Sequence, residues 1–375
     1  MAWLLAGAAL AWVVYAVFGR RWRVEPLLER VAPGSYGRVV AVVPARNEAQ
    51  ELPATLPCLF RQTYEDFSIV LVDDHSTDDT AAIAARLALE YGAKARLQIV
   101  QPPPLPPGWM GKVWAQKAGC TEAARLGAEW IWFTDADIRH EPDVLERLLS
   151  TATRHGRDFV SVMARLRTDT WAEKLLIPAF TYFFAMLYPF HRIADDTKSD
   201  SGAAGGCMLV RRELLERAGG LDAIRDAVID DVALASAAKR VGGRLWLGYH
   251  PGVQSTRGYG SLRAVTDMVA RSAYTQLHYN PLLLVVCVVG LFFVFLWPFM
   301  ALWLAPFPAK WWAALAYAAM VRTYLPLVHF LGCGATWALA LPMAAALYLW
   351  MTVLSAWRFY RGTRTRWKGR EYKAS

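Results

Sequence analysis

Trp130-Ile131-Trp132-Phe133-Thr134-Asp135-Ala136-Asp137 reads as a strand that ends in acid. Its first four side chains are aromatic or β-branched, which suits a pleated, buried surface. The run stops at two carboxylates separated by one small residue. At the C-terminal end of a buried strand, both acids face the crevice where open α/β sheets bind ligands. Hard carboxylate oxygens there suit Mg²⁺ or Mn²⁺, and either ion grips phosphate. The plainer alternative is an acid pair that caps the helix expected from about Pro142.

Working outward, the same edge recurs. Arg38 to Val43 is nearly continuous in apolar residues, as in a parallel strand covered on both faces, and it runs into Pro44-Ala45-Arg46-Asn47-Glu48. Phe67 to Val72 is a second such strand, closing in Asp73-Asp74-His75-Ser76-Thr77-Asp78. Leu97 to Val100 is a third. Helical patterns separate them, which predicts a doubly wound α/β sheet with helices on both faces. A proline-rich loop spans Gln101 to Lys112, with a helix expected four residues on and running to Leu126. The loop is either a stiff connector or a device that brings Lys112 to an anionic ligand. Beyond the central strand, Ser201-Gly202-Ala203-Ala204-Gly205-Gly206 is a loop of small residues that admits a ligand close to backbone. Asp230-Asp231 opens a helix, where a helix-dipole role competes with a catalytic one.

Composition points to a membrane. Hydrophobic residues make up 55% of the 375, with 17 Trp, and the mean hydropathy is +0.21. The net charge of +9 is localised: the tail from Arg358 to Lys373 supplies six charges and Arg20, Arg21 and Arg23 supply three. Both patches follow apolar runs, as cytoplasmic membrane flanks do, whereas a nucleic-acid footprint would spread over the folded domain. Met1 to Gly19 carries no charge and precedes its arginines, which predicts a retained anchor, residues 1–19, with its N-terminus outside. The uncharged runs Pro281–Ala309 and Gly334–Trp357 are long enough to span. Between them Arg322, Pro326 and His329 interrupt Lys310–Phe330, expected to be re-entrant or interfacial so that two crossings keep the basic tail inside. Leu175–Phe190 is either interfacial or packed on the core. Five dispersed Cys argue for reduced thiols rather than a disulfide frame or a zinc site.

Three acidic clusters at strand or loop ends, Asp73/Asp74, Asp135/Asp137 and Asp230/Asp231, repel one another unless a cation sits among them. Together with Pro44-Ala45-Arg46-Asn47-Glu48, Gly111-Lys112-Val113-Trp114-Ala115, Gly205-Gly206 and Arg211-Arg212, in that order along the chain, they resemble the family 2 glycosyltransferases with the GT-A fold. The anchor, Gly108 to Ala115 and Arg271 to Leu277 are most similar to the hopene-associated members. The resemblance implies a catalytic domain at 37–275 built on a mixed, doubly wound sheet, a membrane region at 281–357 and a basic cytoplasmic tail at 358–375. It implies an inverting, metal-dependent enzyme of the bacterial inner membrane, facing the cytoplasm, that moves a sugar from a nucleotide diphosphate-sugar, a UDP-sugar first among them, to a lipid such as a hopanoid. Pro44, Arg46, Asn47 and Glu48 would line the nucleotide cleft, and Asp73 would meet the base with Asp74 and Ser76 beside it. Lys112 would sit by the nucleoside or phosphates, Asp135 on the ribose side and also at the metal, Asp137 on the Mg²⁺ or Mn²⁺, and Gly205 and Gly206 would let the donor sugar or the acceptor approach. Asp231 would be the general base, with Asp230 next to it, and Arg271 would meet the pyrophosphate. The family's Q-x-x-R-W is incomplete, since no Trp follows Arg271, which argues against processive polymerisation. A transporter or scaffold that keeps a nucleotide fold and a same-fold nucleotidyltransferase are the alternative readings.

Overall fold

Strand β1 (Val39–Ala45) is buried at every position, and its side chains alternate between two cores. Val40 and Val42 join one cluster, while Val39, Ala41, Val43 and Ala45 join the other. The two-residue period of a strand forces that division, so a continuous apolar run becomes the middle of a three-layer sandwich. In this computed structural model, residues 2–32, 34–362, 365–367 and 370–372 are described. The basic tail at 358–375 lies partly outside them.

Helix α1 (Ala2–Phe18) precedes the sheet. After β1 come α2 (Leu52–Phe60), β2 (Phe67–Asp73), α3 (Thr80–Glu90), β3 (Leu97–Val100), α4 (Gly111–Arg125) and β4 (Trp130–Thr134). Strands β1, β2, β3 and β4 are mutually parallel, with Ala45 opposite Asp73 and Val42 opposite Phe133. Parallel register puts the ends of β1, β2 and β4 on one edge. The chain continues through β5 (Ile138–His140), α5 (Val144–Arg154), β6 (Phe159–Arg165), α6 (Trp171–Leu187), the short α7 (Phe190–Ile193), β7 (Cys207–Arg211) and α8 (Arg212–Arg217). Helix α9 (Asp230–Arg240), β8 (Leu245–Ser255) and α10 (Leu262–Gln276) complete the domain. The strand order is β3-β2-β1-β4-β7-β6-β8-β5. Strand β7 runs antiparallel to both β4 and β6, so the sheet is mixed, as expected.

Helix α4 begins at Gly111, not four residues beyond the proline-rich loop. Lys112 therefore rides on the first turn of a helix rather than on the loop. That helix lies close on the sheet because Gly119 has no side chain: a Cβ there would stand 2.3 Å from Val42 Cγ1. Of the two readings of Leu175–Phe190, the core wins. Leu175, Leu176, Ile177, Ala179 and Tyr182 of α6 are buried in the larger cluster.

The last helices are α11 (Pro281–Leu291), α12 (Trp297–Leu304), α13 (Ala309–Phe330) and α14 (Leu341–Tyr360). A π-helical turn, Phe292–Leu296, joins α11 to α12. Two continuous helices, Pro281–Leu304 and Ala335–Tyr360, are long and apolar enough to cross a membrane. Helix α13 does not turn back as a re-entrant segment would. It is one helix of 22 residues that packs along α1 and sets Ala316, Met320, Tyr324 and Leu327 into the domain core. Tyr182 of α6 shares a hydroxyl contact of 2.9 Å with its Thr323. Helix α1 has 17 residues, about 25 Å at 1.5 Å per residue, a few ångströms short of a ~30 Å hydrocarbon layer.

Candidate active site

The loops after β1 and β2 are stapled to each other. Asn47 Oδ1 accepts from Thr77 N at 2.8 Å, and Ser76 Oγ accepts from Asn47 N at 3.0 Å. Arg46 donates to the carbonyl of His75 at 3.1 Å, Glu48 N donates to Thr80 Oγ1 at 2.9 Å, and Asp73 Oδ1 accepts from Ser76 N at 3.1 Å. Asn47 and His75 have φ of 53° and 52°, left-handed conformations that non-glycine residues hold only when their surroundings fix them. Pro44 sits within β1 beyond the stretch that pairs with β4, where its missing N–H costs no ladder bond on that side.

Across the edge, four acids meet two cations. Lys112 Nζ lies 3.0 Å from Asp135 Oδ1 and 3.2 Å from Asp230 Oδ2. Asp231 Oδ2 accepts from Gly205 N at 2.7 Å and its Oδ1 from Val232 N at 2.8 Å. Arg257 Nε lies 2.9 Å from Asp137 Oδ2, and the same guanidinium reaches Glu48 Oε1 and Oε2 at 2.9 and 2.7 Å. Glu48 thus ties the β1 loop to Asp137, and Lys112 ties Asp135 to the start of α9. Lys112 joins Asp135 to Asp230 and Arg257 joins Asp137 to Glu48, whereas Asp73 contacts its own loop, at Ser76 N. Helix α5 starts at Val144 with Asp143 as its cap residue, so Asp135 and Asp137 do not cap it.

Burial decides the electrostatics. It raises the carboxyls of Asp135 and Asp137 above the ordinary range, against the opposing charges of Lys112 and Arg257 respectively. Burial and the charge of Asp230 push Asp231 up to about 6, although Lys112 and two backbone N–H groups oppose the rise. Lys112 is held above its usual value, because Asp135, Asp230 and Asp231 together outweigh the cost of burying its ammonium.

Most of the expected residues converge, with differences. Asp135 and Asp137, expected at a metal, each also meet a side-chain cation. Arg257, which carried no assigned role, is one of the two. The signal available was a lone arginine just past the last strand, indistinguishable in one sequence from Arg263 or Arg271. Arg271 stands on α10, is exposed, and forms no ion pair among the described residues. Its charge reaches Tyr259, which in turn feels Asp137. Gly206 faces Ile138 rather than the acids, whereas a Cβ on Gly205 would lie 3.2 Å from Asp231 Oδ2 and 3.4 Å from Lys112 Nζ.

Glu48, Asp135, Asp137, Asp230 and Asp231 are five acids against the two cations Lys112 and Arg257 in this cluster. Hard oxygens with unrelieved charge fit a divalent ion. No three His, Cys, Asp or Glu side chains converge as a ready cage among the described residues. The protein's share would be one or two carboxylates, with phosphate or water completing the shell.

A model of the family described as Glycosyl transferase family 2 matches residues 40–219. This segment is similar to family 2 glycosyltransferase domains. It holds β1, β2, β4, Lys112, Asp135, Asp137 and Gly205, while Asp230, Asp231 and Arg257 lie beyond the match. The undecaprenyl-phosphate 4-deoxy-4-formamido-L-arabinose transferase of Serratia proteamaculans is 27% identical over 155 residues, 40% of this chain and 42% of that protein. The Proteus mirabilis protein of the same name is 30% identical over 140 residues, 36% of this chain and 40% of that protein. The chain spans about two-fifths of the length of these curated relatives. Among solved structures, the mannosyltransferase PcManGT from Pyrobaculum calidifontis, in complex with GDP-Man and Mn²⁺, is similar with a TM-score of 0.52 and 22% identity. The likeness covers 94% of this chain and 99% of that one, and it shows a shared GT-A-like fold.

Gly205 offers a local test. Its φ is not left-handed, so Gly205→Ala strains no backbone, but the methyl crowds Asp231. If the Gly205 N–H bond to Asp231 lengthens, about 1 kcal/mol of interaction is lost. We expect turnover to fall about 5- to 10-fold with an almost unchanged melting temperature, read from steady-state rates and thermal melts of the two proteins.

Proposed function

We propose that the chain is a membrane-bound, inverting glycosyltransferase that moves a sugar from a nucleotide diphosphate-sugar to a lipid acceptor. The observation that carries this is the meeting of Asp135 and Asp230 on one ammonium, Lys112, with Asp231 beside it at the edge of a family 2 domain. The loops after β1 and β2, with Arg46, Asn47, Asp73 and Ser76, hold the nucleoside. Lys112 lends its N–H groups to the diphosphate. Gly205 leaves room for the sugar beside Asp231.

Asp231 takes the proton. At pH 7 a carboxyl that titrates near 6 is ionised, yet it is a stronger base than an ordinary aspartate. The acceptor O–H loses its proton to Asp231 as its oxygen bonds to the anomeric carbon. The bond from that carbon to the diphosphate breaks on the opposite face, and the electron pair leaves with the nucleotide. One displacement inverts the configuration. A divalent ion held by Asp137 and Asp135 would supply charge neutralisation of the leaving diphosphate. Arg257 holds Asp137 and Glu48 in place, keeping the carboxylate aimed into the cleft.

The two membrane-length helices and the names of the curated relatives support a lipid acceptor. The likeness of Gly108–Ala115 and Arg271–Leu277 to hopene-associated members supports a hopanoid as the alternative to the lipid phosphate that the relatives' names suggest. Helix α1 is read as a second anchor, with the domain on the cytoplasmic side where the arginines at 20, 21 and 23 lie. Membranes carrying the protein, incubated with labelled UDP- and GDP-sugars, are expected to yield a glycosylated lipid detectable by mass spectrometry. Chelation with EDTA should abolish the product, and Mn²⁺ or Mg²⁺ should restore it. Failure of every sugar to reach lipid, with no nucleotide diphosphate released, would overturn the reading.

A further inference from the structure

Away from the acids, a cavity of about 410 Å³ opens between α1, the end of α6 and the π-helical turn. Leu4, Ala8, Ala11, Trp12 and Tyr15 supply the α1 wall, one stripe at helical spacing. Met186, Phe293, Val294 and Trp297 supply the others. The π-helical turn shapes the floor. Trp12 Nε1 donates to the Val294 carbonyl at 2.9 Å, and its ring meets Phe295 edge-on at 5.4 Å. Irregular turns of this kind recur at functional sites. Trp297 Nε1, on the wall, is buried and has no partner among the described residues.

One end of the groove is apolar and the other is cationic. Arg21 Nη1 donates to the carbonyl of Met186 at 2.7 Å, which fixes a guanidinium at the mouth. Arg20 and Arg192 are near enough that their charges, with that of Arg21, add to burial in holding His191 below its ordinary value. Asp200, paired with Arg192 at 2.8 Å, and Asp195 are the acids facing this group. The cations therefore remain in excess.

The mouth also leads to the candidate base. Tyr188 follows Met186 by two residues, at most about 7 Å of chain. A Cβ on Gly202 would lie 2.8 Å from the Tyr188 ring, and Gly202 belongs to the loop whose Gly205 binds Asp231. Asp231 acts on Tyr188 directly, its charge adding to burial in raising that hydroxyl. A molecule with its tail along α1 and its head at Arg21 would thus present that head to Asp231.

The geometry points to this groove as the binding site for the hydrocarbon tail of the acceptor, a long-chain lipid whose head carries phosphate. This inference rests on the transferase reading for the word acceptor, but its test needs no turnover. The test uses the full chain in phosphatidylcholine vesicles and a long-chain isoprenyl phosphate bearing a photoreactive diazirine on its tail. Labelled peptides should fall within 4–15 and 293–297. Ala11→Trp, which fills an exposed position on the groove wall, should cut that labelling about tenfold. Leu10→Trp, on the far side of the same helix and already exposed, should leave it unchanged. Unlabelled isoprenyl phosphate should compete better than the alcohol of the same tail. Labelling spread equally over the exposed Leu282, Val285 and Val286 would reveal bulk bilayer lipid and overturn the proposal. So would insensitivity to Ala11→Trp, equal loss with Leu10→Trp, or equal competition by the alcohol. If groove labelling holds while no sugar is transferred, the lipid site stands and the reaction assignment fails.

Discussion

Asp231→Asn is expected to lower sugar transfer by about 10²- to 10⁴-fold, the range for loss of a positioned general base. Nucleotide-sugar binding should be largely retained, because the loops proposed to hold the nucleoside arise from β1 and β2 and not from α9. The wild-type rate should fall on the acid side with a midpoint near pH 6, where the folded carboxyl titrates, and the variant's residual rate should lack that limb. Stability separates this role from a structural one. A carboxyl raised from about 3.9 to about 6 binds its proton more tightly folded than unfolded. It contributes stability that is present at low pH and lost as pH rises through 6. Asn has no charge to bury, so the variant should compare best with wild type at neutral pH and worst near pH 4. Against that, its single carbonyl oxygen can serve only one of the N–H groups of Gly205 and Val232, at a cost of about 1 kcal/mol. Melting curves at pH 4 and pH 7 therefore carry the trend, and kinetics carry the assignment. Turnover near the wild-type rate would remove Asp231 from the reaction.

What could be read from the chain and what could not divide by range. Strands β1, β2 and β4 announce themselves because burial on both faces demands an unbroken apolar run, and each ends in residues that no core would accept. Their shared edge follows from parallel register alone. Strand β5 has three residues and exists only because Ser255 to Val253 of β8 lie opposite it, a partnership more than a hundred residues distant. The same distance hides Arg257, whose partners Glu48 and Asp137 belong to other segments. Lys112 was placed one element too early: Pro106, Pro107 and Gly108 look like the end of a loop that continues. In fact Gly108 turns the chain at φ 80°, Met110 is extended, and the helix starts at once. The segment 310–330 is hard to place for a different reason. Its Arg322 is costly in lipid, but here the helix shares its buried face with a protein core, so hydropathy alone could not place it.

Lys112→Met should be the most destabilising single change in the site. Methionine matches the lysine stem, so packing survives, but Asp135, Asp230 and Asp231 lose the ammonium that offsets their burial. Removing one partner of a buried ion pair costs about 3–5 kcal/mol, and the lysine is only 19% exposed. The deficit should depend on pH. Without the ammonium, the carboxyls of Asp135 and Asp231 rise further above their unfolded values, so the variant binds more protons folded than unfolded over a wider range. Its stability then climbs as pH falls through and below 6, and the gap to wild type narrows. Thermal melts in detergent should show the largest gap at pH 8 and a smaller one at pH 5. Nucleotide diphosphate affinity should drop at least tenfold at every pH where the phosphates are ionised, because the same ammonium would have met them. A gap that stays constant from pH 8 to pH 5 would mean that Lys112 acts through its methylenes alone. The acids would then need some other cation to coexist, and the convergence of Asp135, Asp230 and Asp231 on Lys112 would lose its part in the transfer reaction.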